Sequence, residues 1–332
     1  MFNIALLGAG KMGSVHAKNI SSHNEATLWA VVDPNVENAR RLAEKYHAKW
    51  CTTAEGVMAD SDVHGVWIAS ASDTHADLIE MAAINGKAIF CEKPIHLDPA
   101  RVLKCLTTVK KHNVPLIMGF NRRFDPQFGR VKLLADEGRI GKRESLLIIS
   151  RDPSPPPIGY VKTSGGLFRD MMIHDFDMAR FIMEEEPESV FSQGSNLVDP
   201  EIGHVDDIDT AFVTLKFPSG AIATIVNSRR SAYGYDQRIE LHGSKGMLQA
   251  GNIYENQVSV WNDSGRMYAP LEDFYLQRYR DAYVAELEHF ISVMRGDGPP
   301  QCTGEDGKKA LFIAVIAYQS LKDHKELAIN YF

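Results

Sequence analysis

The first 120 residues alternate between short apolar runs and longer segments of mixed polarity. We predict buried strands at the apolar runs, which cover residues 4–7, 27–32, 63–70, 87–91 and 114–120. Helices are predicted between them, at about residues 14–22, 75–85 and 99–112. Strands that alternate with helices indicate an α/β fold with a parallel, doubly wound sheet.

Beyond residue 120 this alternation stops. Strand-like runs follow one another instead, at residues 144–150, 211–217, 221–228, 237–242 and 257–261. Pro218-Ser219-Gly220 has the composition of a tight turn between two of them. Because 332 residues exceed the usual size of one domain, we predict two domains, 1–120 and 121–332.

A glycine-rich turn directly follows the first strand. It reads Gly8-Ala9-Gly10-Lys11-Met12-Gly13, and the first predicted helix comes after it. In a dinucleotide site the first glycine permits the turn, the second lets the backbone approach the pyrophosphate, and the third lets helix pack on strand. The helix N-terminus then offers free N–H groups to the phosphates. We therefore predict that Gly8, Gly10, Lys11, Met12 and Gly13 contact a dinucleotide.

Asp33 strengthens this interpretation. It ends the second strand, twenty residues after Gly13. A carboxylate at this position accepts hydrogen bonds from the adenosine ribose and repels a 2′-phosphate. The predicted cofactor is therefore NAD rather than NADP.

Ligands of doubly wound sheets bind beyond the carboxyl ends of the strands. We therefore predict further cofactor contacts at Ser70, Ser72 and His75 after the third strand, and at Glu92 and Lys93 after the fourth. A lysine there can stabilise negative charge that develops on a substrate oxygen. A solvated lysine at a strand end is equally compatible with the spacing of the Glu92-Lys93-Pro94 motif.

Asp170 and His174 follow a double glycine, Gly165-Gly166, within a segment of helical periodicity. Residues four apart on a helix share a face, so a carboxylate and an imidazole are predicted to project together. Such a pair suits a histidine that takes a proton, but a solvated or structural pair has the same spacing.

Composition narrows the class of protein. Apolar residues make up 44% and charged residues 24%, and the net charge of −7 argues against a nucleic-acid partner. The four cysteines, Cys51, Cys91, Cys105 and Cys302, lack metal-site spacing and indicate free thiols in a reducing cytoplasm. The apolar run at the N-terminus is too short for a signal-peptide core, and no stretch suits a membrane span.

The glycine motif, Glu92-Lys93-Pro94 and the Asp170/His174 segment together resemble the Gfo/Idh/MocA oxidoreductases over essentially the whole chain. Within that family, residues 119–125 and 164–180 resemble inositol 2-dehydrogenases. The resemblance implies an NAD-binding Rossmann domain and a substrate-binding α/β domain with a large, mostly antiparallel open sheet. In relatives the outer face of that sheet packs against another subunit, commonly in a homotetramer.

The resemblance also implies a catalytic trio of Lys93, Asp170 and His174. His174 would accept the hydroxyl proton, Asp170 would support it, and Lys93 would polarise the reacting oxygen. Our candidates for substrate binding are Arg123, Asp152, Tyr160, Tyr233 and Tyr235. No metal is required, and we find no cluster of ligands for one.

Some of these residues have structural alternatives. Tyr233 and Tyr235 could lie on one strand face, and packing within the sheet is an equal alternative for either. Tyr160 follows a proline run, residues 155–157, that we expect to form a rigid loop over the site. Asp175, Asp177 and Arg180 are expected to support the helix.

The resemblance implies NAD-dependent oxidation of a secondary hydroxyl of a cyclic polyol. The first expectation is myo-inositol to 2-keto-myo-inositol in inositol catabolism. Scyllo-inositol, D-chiro-inositol or a pyranose sugar remain alternatives, since epimers differ only in where one hydroxyl points. A non-catalytic NAD-binding sensor is a further alternative, against which the joint presence of Lys93, Asp170 and His174 argues.

Overall fold

The structure, a computed structural model, describes residues 1–331. It divides into two compact units. The first combines Met1–Phe124 with Asp281–Lys309, and the second combines Asp125–Arg280 with the chain from Ala310 onward. The prediction placed residues 121–332 in one continuous domain. In the structure, residues 281–309 of that stretch belong to the first unit.

The first unit contains a six-stranded sheet of order β3-β2-β1-β4-β5-β6, and all its strand pairs are parallel. Its strands are β1 (Phe2–Leu7), β2 (Ala26–Val32), β3 (Lys49–Cys51), β4 (Gly65–Ile68), β5 (Ala88–Glu92) and β6 (Leu116–Gly119). Its helices are α1 (Lys11–Ser22), α2 (Val36–Lys45), α3 (Glu55–Ala59), α4 (His75–Ile84) and α5 (Pro99–His112). The predicted parallel, doubly wound sheet is confirmed, and β3, α2 and α3 are additional to the predicted elements.

Local signals explain where α5 begins and ends, at the residues predicted from the sequence. Asp98 caps the N-terminus by accepting a hydrogen bond from the Ala100 N–H, and Pro99 occupies the first turn, where no N–H is needed. Asn113 ends the helix in the left-handed conformation, with φ of 51°.

The second unit is built on a seven-stranded sheet of order β12-β11-β7-β10-β9-β8-β15. Its strands are β7 (Arg143–Arg151), β8 (Ser189–Ser195), β9 (Thr210–Lys216), β10 (Ile222–Ser228), β11 (Asp236–Gly243), β12 (Gly246–Ala250) and β15 (Leu327–Ala328). Its helices are α6 (Pro126–Asp136), α7 (Ile158–Ser164), α8 (Gly166–Asp170), α9 (Ile173–Met183), α10 (Pro200–His204) and α11 (Tyr275–Arg278). Only the β7–β10 pair is parallel, so the expected mostly antiparallel sheet is confirmed.

The last strand-like run predicted from the sequence, residues 257–261, does not join this sheet. It contributes to β13 (Ser259–Asn262), which pairs only with β14 (Gly265–Tyr268) in a separate hairpin. The predicted run begins with alternating polar and apolar residues, Gln257-Val258-Ser259-Val260, but the side chains of the hairpin are largely exposed. Periodicity alone does not reveal which sheet a strand joins.

The chain returns to the first unit through helix α12 (Arg280–Arg295), and helix α13 spans Gly304–Asp323. Leu287, Phe290 and Ile291 of α12 belong to the same buried apolar cluster as Trp67 of β4 and Phe90 of β5. This burial explains why a segment far along the chain belongs to the first unit.

The four cysteines are free, as predicted; three are buried and Cys51 is partly buried. Among residues 1–331, no helix combines the length and the apolar character needed to cross a membrane.

We predict that α12 stabilises the first unit through Phe290. Phe290→Ala should lower the free energy of unfolding by about 3–5 kcal/mol, because a fully buried ring is lost and a cavity remains. Val284→Ala on the exposed face of α12 should change it by less than about 0.5 kcal/mol. Urea unfolding followed by tryptophan fluorescence in a Trp261→Phe background reports on the first unit, which contains the other three tryptophans.

Equal effects of the two substitutions would contradict the assignment of α12 to that core.

Candidate active site

The glycine turn lies at the carboxyl edge of the first sheet, after β1. The strand order reverses between β1 and β4, which is where ligands of open α/β sheets bind. Gly8 has φ of +105°, and a Cβ there would lie 2.5 Å from the Ala69 carbonyl oxygen. A Cβ on Gly13 would overlap the Gly8 carbonyl oxygen. Contacts within the protein therefore leave no room for a side chain at Gly8 or Gly13.

Gly10 is different, because a Cβ there would meet no protein atom within 4 Å. Its backbone is extended, a conformation open to any residue. Gly10 also precedes α1, whose N-terminus has no side-chain cap. The bare backbone and free helix N–H groups fit the pyrophosphate of a dinucleotide.

Asp33 follows β2 and is held against the glycine turn. Its Oδ2 accepts a hydrogen bond from the Ala9 N–H at 2.8 Å, and its Oδ1 accepts one from the Asn35 N–H at 2.8 Å. Two N–H donors keep the carboxylate in place, and its remaining lone pairs suit ribose hydroxyls. The residues at this edge therefore fit NAD.

The loops after β4 and β5 are tied together by His75. Its buried ring places Nδ1 2.7 Å from the Pro94 carbonyl oxygen and Nε2 3.1 Å from the Ser70 carbonyl oxygen. Burial lowers the pKa of His75. Ser70 also hydrogen-bonds Thr74 through its hydroxyl at 2.7 Å, and Ser72 begins a short 3₁₀ turn. His75 thus links the two predicted cofactor loops.

The Glu92-Lys93-Pro94 motif follows β5, and the Lys93–Pro94 peptide is cis. Glu92 points back into the first unit, where its Oε1 lies 2.8 Å from Nε2 of buried His16. Glu286 of α12 is also fully buried, and burial together with the charge of Glu92 raises the pKa of Glu286 well above its usual value. Burial therefore disfavours the charged form of Glu286.

The segment that contains Asp170 and His174 is two helices rather than one. Asp170 is the last residue of α8, and His174 is the second residue of α9. The prediction that both lie on one turn of a continuous helix was wrong. The Leu167 carbonyl accepts hydrogen bonds from both Met171 and Met172, at 3.0 and 2.9 Å, so the regular hydrogen-bond ladder is interrupted there.

Within the second unit, Asp170 lies beside Tyr160 and Arg229. Its Oδ1 accepts a hydrogen bond from the Tyr160 hydroxyl at 2.8 Å, and its Oδ2 lies 3.7 Å from Nη2 of Arg229. Burial and the charge of Asp170 raise the pKa of Tyr160. Tyr160 itself lies on α7 and is about half exposed, with 49% of its surface accessible.

Helix α9 is fixed to the sheet by Asp175, next to His174. Its buried carboxylate accepts hydrogen bonds from the Ser150 hydroxyl of β7 at 2.6 Å and from the Asn227 amide of β10 at 2.9 Å. Farther along α9, Arg180 pairs with Asp177 at 3.4 Å. These contacts are those of supporting residues, as the sequence suggested.

Tyr233 and Tyr235 do not share a strand face, so that alternative was wrong. Tyr233 lies in the turn before β11 and donates a hydrogen bond to Asp236 at 2.6 Å. Tyr235 is 5% exposed, and its ring packs edge-on against Phe274. Tyr235 therefore belongs to the packing of the second unit.

Arg123 and Asp152 also differ in burial: Arg123 is buried, and Asp152 is partly accessible. Arg123 is buried in the first unit, where it pairs with Asp306 at 2.9 Å and donates to the Gln301 carbonyl at 3.0 Å. Asp152 lies just beyond β7, and its N–H donates to the Ser228 carbonyl at 2.9 Å. Arg123 anchors the returning segment, whereas Asp152 stays partly accessible at the edge of the second sheet.

The sequence did not single out four polar residues that the structure buries fully or in part: His16, Asp207, Arg229 and Glu286. Arg229 is followed by Arg230, and two arginines after a strand are typical of a solvated end. Glu286 lies on an amphipathic helix, where a glutamate is expected to face water. No local signal in the sequence distinguishes them from exposed residues.

No group of three or more histidine, cysteine, aspartate or glutamate side chains could hold a metal ion anywhere in residues 1–331.

The first unit has the strand order, glycine turn and acidic strand end of a dehydrogenase domain that binds a dinucleotide. Residues 2–120 match an oxidoreductase family with an NAD-binding Rossmann fold, and residues 128–249 match the C-terminal domain of the Gfo/Idh/MocA proteins. The chain belongs to the Gfo/Idh/MocA oxidoreductase family. Its cofactor is NAD.

Relatives match the chain almost from end to end. It is 47% identical to the inositol 2-dehydrogenase of Rhizobium meliloti over 324 residues, which cover 98% of each chain. It is 44% identical to the myo-inositol 2-dehydrogenase of Thermotoga maritima, again over 98% of each. The structure of scyllo-inositol dehydrogenase from Lactobacillus casei with NAD(H) and scyllo-inositol has 27% identity and a TM-score of 0.92, and 99% of each chain is covered.

Substitution of the motif glycines should affect NAD binding at Gly10 and protein stability at Gly13. Gly10→Ala should lower the affinity for NAD without loss of stability, because the methyl group meets no protein atom and occupies the approach to the pyrophosphate. Gly13→Ala should destabilise the first unit, because its methyl group overlaps the Gly8 carbonyl. Calorimetric titration with NAD and thermal unfolding measure the two effects.

Unchanged NAD affinity in Gly10→Ala would contradict the assignment of this turn to the pyrophosphate.

Proposed function

We propose that this enzyme oxidises a secondary hydroxyl of a cyclic polyol with NAD, and that its substrate is myo-inositol, which becomes 2-keto-myo-inositol. The observation that carries the proposal is the setting of Asp170. Its carboxylate is held by Tyr160 and faces Arg229, just before the helix that presents His174. The names of the relatives from Rhizobium meliloti and Thermotoga maritima support inositol as the substrate.

The reaction needs a base for the hydroxyl proton, and we assign that role to His174. An imidazole titrates near neutrality and can take the proton as the neutral ring. Asp170 stabilises the charged ring that results or orients the substrate. Asp175 keeps α9 in place through its bonds to Ser150 and Asn227, so the position of His174 is set by the sheet.

Lys93 completes the proposed trio. An ammonium group beside the reacting oxygen stabilises negative charge on it and favours release of the proton. The nicotinamide of NAD supplies the hydride acceptor. The loop that carries Lys93 is held in place by His75, whose ring contacts the Pro94 carbonyl oxygen.

A polyol also needs hydrogen-bonding groups around its ring. Asp152, Tyr160 and Tyr233 retain accessible polar groups and are our candidates for this role. Arg123 and Tyr235 are buried within their own units, and we assign them support of the neighbouring loops.

A second candidate substrate is scyllo-inositol, which differs from myo-inositol in the direction of one hydroxyl. The similarity to the Lactobacillus casei enzyme solved with scyllo-inositol favours it as the alternative. D-chiro-inositol and pyranose sugars offer the same class of hydroxyl.

The substrate is tested by NADH formation with NAD and a panel of myo-, scyllo- and D-chiro-inositol, glucose and xylose. We expect the highest kcat/KM with myo-inositol. A higher kcat/KM with scyllo-inositol would identify that epimer as the substrate instead. If none of the five compounds gave NADH, the proposed dehydrogenase activity would be contradicted.

In the same assay, His174→Asn should lower kcat by roughly 10²–10⁴-fold, the usual contribution of a general base. NAD affinity should stay near that of the wild type. His204→Asn, an exposed histidine in the same unit, is the matched control and should leave kcat unchanged. Full activity in His174→Asn would exclude its role as the base.

We further propose a homo-oligomer, a tetramer by family resemblance, that forms through the outer face of the second sheet. Phe212 of β9 and Val226 of β10 are paired across the ladder and therefore share one face. On that face Phe212 is 54% exposed and Ile222 is 46% exposed. Exposed apolar patches of this kind mark protein–protein contacts.

Light scattering should therefore give the mass of an oligomer for the wild type and a smaller mass for Phe212→Glu, because a buried charge opposes association. Val36→Glu places the same charge at an exposed valine of α2 and should leave the mass unchanged. A monomeric wild type would contradict this proposal.

A further inference from the structure

His16 is a polar residue buried in the core of the first unit. It lies on α1, three residues after Gly13 of the glycine turn, and is 1% exposed. The centre of its ring lies 4.7 Å from that of Trp67 in β4 and 5.8 Å from that of Tyr283 in α12. An apolar side chain would fill this position at lower cost, because a buried polar ring needs a hydrogen bond to offset its loss of water.

The hydrogen bond of His16 is made with Glu92, the last residue of β5. Nε2 of His16 lies 2.8 Å from Oε1 of Glu92. An ionised carboxylate only accepts hydrogen bonds, so Nε2 is the donor when Glu92 is charged. Within residues 1–331, Nδ1 of His16 makes no hydrogen bond. Among the described residues, Glu92 therefore compensates the burial of this ring.

Glu92 directly precedes Lys93, so its contact with His16 holds the chain on one side of the lysine. On the other side, the Pro94 carbonyl oxygen lies 2.7 Å from Nδ1 of His75. Lys93 is thus bracketed by contacts with two buried histidines. Each histidine lies on a helix that begins beside a predicted cofactor loop, α1 after the glycine turn and α4 after the loop that follows β4.

We propose that His16 is a positioning residue for Lys93. By holding Glu92, it fixes the backbone before the lysine against α1, the helix whose N-terminus fits the pyrophosphate of NAD. The His16–Glu92 contact thereby ties the Lys93 loop to the cofactor turn. A misplacement of about 1 Å at a reacting centre is enough to slow a reaction about 100-fold. This inference rests on the proposed function, in which Lys93 acts on the reacting oxygen.

The first test compares two substitutions at His16 that differ in one hydrogen-bond donor. His16→Leu removes the donor and keeps an apolar side chain of similar size among the aromatic rings. His16→Gln keeps an amide N–H near the position of Nε2. With the polyol substrate and saturating NAD, kcat should fall about tenfold or more in His16→Leu and stay near that of the wild type in His16→Gln. NAD affinity, measured by calorimetric titration, should stay near that of the wild type in both, because the glycine turn is unchanged.

His112→Leu is the matched control, since His112 is exposed at the end of α5. It should leave kcat unchanged. Equal losses of kcat in His16→Leu and His16→Gln would show that packing rather than the hydrogen bond matters, and would overturn the proposal. An unchanged kcat in His16→Leu would overturn it as well.

A second measurement does not depend on activity. Hydrogen exchange followed by mass spectrometry reports local opening of the chain. In His16→Leu, residues 88–95 should exchange about tenfold faster than in the wild type, the effect of one lost hydrogen bond at a buried site. His16→Gln should retain slow exchange there. Helix α2, which does not contain the contact, should exchange alike in all variants.

Glu92→Leu breaks the same contact from the other side. It should also speed exchange of residues 88–95, which keeps the test available if His16→Leu does not fold. Unchanged exchange of this segment in both variants would contradict the proposal even if no polyol were oxidised. Faster exchange in both variants of a protein that oxidises no polyol would establish the contact as a support of the Lys93 loop, and only the proposed function would fail.

Discussion

Parallel strands end at a common edge, and the candidate residues of both units depend on that constraint. In the first unit the edge brings together the glycine turn after β1, Asp33 after β2 and the lysine motif after β5. In the second unit β7 and β10 are the sole parallel pair of the large sheet, and Asp152 and Arg229 follow them. Polar groups that are distant in sequence therefore meet without any need for long loops.

Several ionisable groups are buried in the two units, and burial of a charge is unfavourable unless it is compensated. Each of these groups has a different environment. Asp175 accepts hydrogen bonds from Ser150 and Asn227. Arg229 relies on the carboxylates of Asp170 and Asp207 at distances beyond a hydrogen bond. For Glu286, burial raises the pKa and so disfavours the charged form.

The sequence predicted most of the fold because its signals there are local. Caps define α5, apolar runs define the parallel strands, and the glycine motif has a strand before it and a helix after it. Long-range packing was not predictable in the same way. The return of α12 to the first unit depends on Phe290 contacting Trp67, more than 200 residues apart. Arg229 was missed for the same reason, because its carboxylate neighbours come from other segments.

The central claim is that the hydride leaves one ring carbon of myo-inositol and reaches NAD. The most direct measurement uses myo-inositol deuterated at the carbon that becomes the ketone, followed by mass spectrometry of the reduced cofactor. We predict one deuterium in the NADH formed, and slower turnover if hydride transfer limits the rate. NADH without deuterium would contradict the account, since the hydride would then come from another position.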